Sequence, residues 1–163
     1  DCVQESQGYT KAQITANADT IQIAGNYYED TKCAKVLVEG LVKAATTFDE
    51  EAIGEPLSYS MTYTELTLTI RSSQTAGMAN LMGLCGCSNW KVNEPKNVSG
   101  KTCFETTMPK VGDTNYNIAG INDLGQLLVG RLTDELDGST PEKRPVELET
   151  SRPFNKVSEE ALD

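Results

Sequence analysis

The apolar and polar positions of this chain fall into short alternating runs set between turn signals. Thr20–Asp30, TIQIAGNYYED, alternates β-branched and aromatic residues with polar ones and places Ile21, Ile23, Gly25 and Tyr27 on one side. It predicts a half-buried strand. Leu57–Arg71, LSYSMTYTELTLTIR, is the strongest strand signal. Leu57, Tyr59, Met61 and Tyr63 keep one phase before Leu66, Leu68 and Ile70 take the other, and that shift predicts a bulge or tight turn near Thr64–Glu65. Further β-like stretches lie at Lys101–Glu105, Tyr116–Gly120 and Gln126–Arg131, with a last strand read at Val146–Asn155. The intervening turn signals, Asn97–Gly100, Gly112–Asn115 and Asn122–Gly125, recur about every ten residues, as in a meander sandwich or barrel.

Three segments read differently. Cys33–Phe48 carries Ala34, Leu37, Val38, Leu41, Ala45 and Phe48 at helical spacing, which favours a helix capped by Asp30 or Thr31 over a Val-rich strand. Residues 1–19 are polar and predict a loose lead-in with one short helix around Lys11–Asn17. After a turn at Ser72–Gly77, Met78–Trp90 begins apolar and predicts a core strand leading into a structured loop. The acidic run Asp49–Glu51, with Gly54 and Pro56, breaks whatever precedes it; Asp134–Pro145 reads as a polar loop and the end of the chain as an acidic tail. The expected organisation is a lead-in at 1–19, one mainly β domain at 20–156 with one or two short helices, and the tail at 157–163.

Charge narrows the partners. With 24 acidic and 14 basic residues the net charge is −10, and the Lys and Arg are scattered singly, so the chain as a whole should repel phosphate backbones and anionic lipid heads. Neither nucleic acid nor a membrane surface is an expected partner. No apolar run approaches the roughly 20 residues that span a bilayer.

Histidine is absent, which removes the usual general base near neutral pH and every Ser/His/Asp or Cys/His arrangement. The carboxylate clusters Asp49–Glu51 and Asp134, Glu135 and Asp137 read as solvated loops. Asp134–Gly138 lacks the alternating acidic spacing and closing glutamate of a calcium-binding EF-hand loop. No catalytic residue, metal site or cofactor is therefore expected, and the chain reads as a binding protein.

The cysteines point to export. Cys2, Cys33, Cys85, Cys87 and Cys103 lack zinc-ribbon spacing and suit disulfides in an oxidising compartment better than a thiolate zinc site. A first residue that is not Met suggests removal of a signal peptide, and the sequon Asn97-Val98-Ser99 agrees with a secreted or extracytoplasmic location, periplasm or cell surface in a bacterium. Cys85 and Cys87 flank one glycine, and a bridge between them would close a strained ring. The expected partners are Cys33 and Cys103, leaving Cys2 spare.

The aromatic and aliphatic set Ile21, Ile23, Tyr27, Tyr59, Met61, Tyr63, Leu68, Ile70 and Trp90 either fills the core or, if the sheet closes around a cavity, lines a ligand site. Ile23, Tyr27, Tyr59, Met61, Tyr63, Leu68 and Trp90 are the candidate lining.

The second half carries an order of features that resembles a family. It runs Cys85-Gly86-Cys87-Ser88-Asn89-Trp90, Val98-Ser99-Gly100-Lys101-Thr102-Cys103, Tyr116–Ile121, Gln126–Gly130, and Pro141–Pro145 leading to Pro153-Phe154. Together with Gly25-Asn26-Tyr27-Tyr28 and Cys33, this is similar to the single-domain, exported bacterial-type relatives of the adenomatosis polyposis coli down-regulated proteins, over residues 20–156. The chain departs from the family pattern in having tyrosine where tryptophan is usual in the opening strand, and in lacking a cysteine before Pro141. The resemblance implies an antiparallel lipocalin-like β-barrel, with lipid binding in the animal members. The expected function is an extracytoplasmic, non-catalytic holder of a small apolar or amphipathic ligand. The alternative is a cell-surface or matrix interaction module with a filled core that works through loops such as Asn89–Gly100 or Asp134–Arg144.

Overall fold

The computed structural model describes residues 2–5, 8–49 and 56–156; the proposed tail at 157–163 and most of the Asp49–Glu51 breaker lie outside them. The described strands are β1 (Val3–Glu5), β2 (Gly8–Ala16), β3 (Thr20–Tyr28), β4 (Val36–Phe48), β5 (Leu57–Ile70), β6 (Lys96–Asn97), β7 (Thr102–Cys103), β8 (Thr106–Thr107), β9 (Thr114–Ile121) and β10 (Leu127–Val129). Between β5 and β6 stands the helix α1 (Ser73–Met82). The main sheet runs β1-β2-β3-β4-β5-β9-β10, with β6 added on β5, while β7 and β8 make their own hairpin. This is the mainly β, antiparallel, disulfide-tied class that the sequence predicts. No ladder joins β1 to β10 among the described residues.

The chain forms two compact units, Asp1–Ala45 with Tyr63–Asp113, and Thr46–Thr62 with Thr114–Asp163. In the first, β3 is a strand over the segment predicted, in register with β2 from Tyr9↔Tyr28 to Ala16↔Ile21. The helix predicted at Lys11–Asn17 is instead the second half of β2. Its Ala and Gln content favours helix only weakly, whereas each residue from Lys11 to Ala16 gains a ladder partner on β3 and Ile14 faces Ile23. The lead-in is thus largely extended chain. Asn17 then makes the turn into β3, its side-chain oxygen accepting from the backbone N–H groups of Asp19 (3.0 Å) and Thr20 (2.9 Å).

The helix favoured at Cys33–Phe48 is also a strand, β4, whose partners on β3 run from Tyr28↔Val36 to Thr20↔Ala45. Val36, Val38 and Val42 prefer extended backbone, and the helical spacing of the neighbouring apolar residues arises from a strand half-buried on both faces. Asp30 caps no helix. Its carboxylate accepts from the backbone N–H groups of Lys35 (2.8 Å), Lys32 (2.9 Å) and Ala34 (3.2 Å), pinning the loop between β3 and β4.

The phase shift in β5 is real, but no turn accompanies it, because the strand runs unbroken through Thr64–Glu65. Within the second unit Tyr59 and Met61 are buried, and within the first Leu66, Leu68 and Ile70 are. The flanking partner changes with the phase, from β9 along Leu57–Thr62 to β6 at Thr67 and Leu68.

The strand expected over Met78–Trp90 is replaced by α1 and a following single 3-10 turn, Leu84–Gly86. The Ser72 hydroxyl accepts from the backbone N–H of Thr75 (3.1 Å), and Gly83 ends the helix in the left-handed conformation (φ 63°), its N–H donating to the Ala79 carbonyl. These are a helix start and stop. Ala76 and Ala79 face inward and let the helix approach Leu66, Leu68 and Ile70 of β5, with Trp90, Val98, Cys85 and Cys103 completing the core. Leu66 and Ile70 are almost fully buried, contributing roughly 1.5–3 kcal/mol each.

The second unit is built on β9 and β10, near the segments predicted, in register from Ile121↔Leu127 to Ala119↔Val129. The last strand expected at Val146–Asn155 shrinks to two isolated bridges, Gly130↔Leu148 and Leu127↔Phe154. Pro145 and Pro153 bracket that segment, and the Glu149 carboxylate turns the chain by accepting from the Ser151 N–H (2.8 Å) and hydroxyl (2.7 Å). Buried Asn117 accepts from the Gly130 N–H at 3.1 Å.

At Gly130 a Cβ would strike the Asn117 amide oxygen and stand 2.8 and 2.9 Å from Pro145 carbons, whereas at Gly77 of α1 it would meet nothing within 4 Å. Gly130→Ala is expected to lower stability by about 1–3 kcal/mol and Gly77→Ala to raise it by up to about 1 kcal/mol. Urea midpoints of the two variants check both signs.

Candidate binding surface

The sequence-predicted lining residues do not meet around one cavity. Tyr59 and Met61 are buried in the second unit; Leu68 and Trp90 are core residues of the first, with Tyr63 packed against them. Ile23 and Tyr27 are half-buried on β3. Burial pushes the Tyr63 phenol above its ordinary pKa, and the nearby Asp113 charge adds to the shift.

Trp90 is the best-held of the set. It is 3% exposed, and its indole N–H donates to the Leu84 carbonyl at 3.3 Å. Its backbone is gripped from both sides by the Asn80 side chain, whose oxygen accepts from the Trp90 N–H (2.6 Å) and whose amide donates to the Trp90 carbonyl (3.0 Å). Lys96 lies 5.5 Å from the ring centroid. Asn80 carries no signal in an apolar pattern; the Ser72 and Gly83 brackets could have placed it on a helix.

The cysteine pairing differs from the expected one. Cys2 bonds Cys33, Cys85 bonds Cys103, and Cys87 is the free thiol. β1 pairs with the start of β2, and β2 with the end of β3, so the ladder carries Cys2 to the loop after β3 and leaves Cys33 unavailable to the Cys85-Gly86-Cys87 segment. That segment therefore closes a local loop, its bonded cysteines standing 18 positions apart in the chain. Cys87 donates to the Cys85 carbonyl at 3.6 Å and receives the Lys101 ammonium at 2.9 Å. The described residues contain no group of three or more Cys, Asp or Glu placed to hold a metal ion.

The described residues include two surface clefts. One, of about 310 Å³ in the first unit, is lined by Glu29, Lys35, Leu37, Ser72–Thr75 and Met78; the other, of about 230 Å³ in the second unit, by Arg131, Thr133, Glu135, Leu136, Val146 and Glu147. Both mix charged, hydroxyl and aliphatic groups. Neither includes a predicted lining residue. Lys35 forms an ion pair with Glu29 across the first cleft, and the wall they share is the loop pinned by Asp30.

The large apolar residues that the fold leaves outside form a separate feature. Met78, Leu81 and Met82 share the outer side of α1, with Leu81 88% and Met82 76% exposed. Phe104, 65% exposed, sits at the β7–β8 turn. Leu124 and Val146 are similarly exposed in the second unit. The sequence reading did not single out this set.

Two measurements probe these elements. Removing the Asn80 side chain leaves both polar groups of the Trp90 backbone without that partner, so Asn80→Ala is expected to cost about 2 kcal/mol and to red-shift Trp90 emission. The second concerns pH. Backbone donation by Lys35, followed by Ala34 and Lys32, holds the Asp30 carboxyl below its ordinary range. Its contribution to stability is complete above that range and disappears as pH falls through the lowered folded-state value. Asp30→Asn should therefore show a shallower loss of unfolding midpoint than the parent below about pH 4, in a denaturation series from neutral to acid.

Among the described residues no helix is long and apolar enough to cross a membrane. Neither a known protein-family model nor a curated protein matches the chain.

Proposed function

We propose that this protein is an exported, non-catalytic binding module that engages its partner through its outer surface. The observation that carries this reading is the state of Trp90: 3% exposed, with indole and backbone polar groups all engaged by neighbouring residues. A ligand-lining tryptophan keeps a face or a hydrogen-bonding group for its ligand; this one spends both on the protein. The large side chains set outside, above all Met78, Leu81 and Met82 on α1, supply contact area that a monomer does not need. Two disulfides are compatible with an extracellular location, and the resemblance to the adenomatosis polyposis coli down-regulated domains agrees with an exported binder.

Trp90 is the sole tryptophan, so the reading is tested by titrating the protein with a fatty-acid analogue bearing a fluorophore that accepts tryptophan emission. No saturable energy transfer at one ligand per chain is expected. Saturable one-to-one transfer that survives replacement of the exposed Leu81 and Met82 by Gln and Phe104 by Ser would overturn the surface reading and restore an interior ligand site.

A further inference from the structure

Leu81 and Met82 occupy the last turn of α1, and three residues further on Cys85 is bonded to Cys103, the residue immediately before Phe104. The bridge, with 4.4 Å between its Cα atoms, draws the exposed end of the helix and the exposed hairpin tip to one place. Phe104 (φ 49°) and Glu105 (φ 66°) form the two-residue turn between β7 and β8. Both central positions require left-handed backbone, for which Asn-Gly is the favoured pair. The chain instead presents an aromatic ring there, at a conformational cost and in solvent.

Two cations reach the same place. The Lys96 ammonium donates to the Ser88 carbonyl at 2.7 Å and the Lys101 ammonium to Cys87 Sγ at 2.9 Å, two residues and one residue beyond the Leu84–Gly86 turn. From Leu66 through Asn93 there is no Asp or Glu, in a chain that has 24 of them. Glu105 is the one acid at the hairpin tip. The net charge of −10 is a property of the whole chain, and charges beyond a Debye length of about 8 Å are largely screened at physiological salt.

We propose that this end of the first unit docks on an anionic lipid surface. Leu81, Met82 and Phe104 would enter the boundary between headgroups and acyl chains, with Lys96 and Lys101 meeting the lipid phosphates. The apolar groups stand on convex elements, a helix end and a hairpin tip, with neither cleft among them. Convex apolar groups flanked by ammonium groups suit a bilayer interface, which deforms to receive them. The proposal rests on the surface-binding reading, and its test is separate from the Trp90 titration: failure here leaves that reading standing.

The experiment is flotation of the full chain with vesicles of phosphatidylcholine and phosphatidylglycerol, with pure phosphatidylcholine vesicles and free glycerol phosphate as the other arms. Co-flotation with the anionic vesicles at physiological salt is expected, weaker with phosphatidylcholine alone, and unaffected by millimolar glycerol phosphate. The triple variant Leu81→Gln, Met82→Gln, Phe104→Ser should partition at least about tenfold less. Its side chains are exposed, so an unchanged circular dichroism melt serves as the folding control. Glu105→Gln should bind more tightly and Lys101→Gln less. No flotation of the parent, equal flotation of the triple variant, or release of the parent from vesicles by glycerol phosphate overturns the proposal. A parent that sediments as a dimer while the triple variant sediments as a monomer overturns it in favour of self-pairing.

Discussion

The grip of Asn80 on the Trp90 backbone is the interaction on which the first unit's architecture turns. A tryptophan brings the largest apolar surface available to one side chain together with an N–H that is costly to bury unpaired. Burying it against β5 requires chain on the far side to supply polar partners. α1 and the turn after it do so, through the Asn80 amide and the Leu84 carbonyl. The helix can lie close enough only because its inward residues are Ala76 and Ala79. Small residues inside leave no inner position for its large ones. Met78, Leu81 and Met82 are consequently outside, so the exposed apolar face follows from the same packing decision that buries Trp90.

The Cys85–Cys103 bridge fixes that arrangement covalently. Cys103 is fully buried and Cys85 nearly so, in a left-handed conformation (φ 55°) that L residues rarely adopt. Gly86 beside it is left-handed as well (φ 62°), where glycine has no steric penalty. With the chain turned in this way, Cys87 Sγ meets the Cys85 carbonyl and the Lys101 ammonium while Cys103 bonds Cys85. Alternation of one free and one bonded cysteine around a glycine thus has a conformational cause. Sequence spacing forbids only the bridge between the two of them.

What the sequence made legible follows from the range of the interactions involved. β5 and the first half of β3 carry local alternation that matches the faces they bury, and turn residues mark the ends of β9 and β10. β4 misled because both of its faces are half-buried, which erases the two-residue period and leaves room for an accidental helical one. β2 misled because only its first residues have a β1 partner and most of its later side chains are exposed, so its identity resides in backbone pairing with β3 rather than in its own residues. α1 was legible in its caps, Ser72 and Gly83, but not in its apolar pattern, since the small residues face in and the large ones out. The disulfide partners of Cys2 and Cys33 depended on that misread β2, and the error in pairing followed directly from the error in the strand.

The candidate surface was hidden for a related reason. Large aromatic and aliphatic residues at strand spacing read equally as core or as cavity lining, and the choice rests on whether each polar group among them is already satisfied. For Trp90 it is. Charge behaves in the same way: a total over 163 residues describes long-range repulsion, while contact between surfaces is decided within a screening length. The acid-free stretch from Leu66 to Asn93 and the lysines gathered beside Cys87 and Ser88 give one end of the first unit a local character unlike that of the whole chain. Function in a small acidic β protein without histidine is therefore better sought where the fold fails to hide its large side chains than in the residues it has already packed.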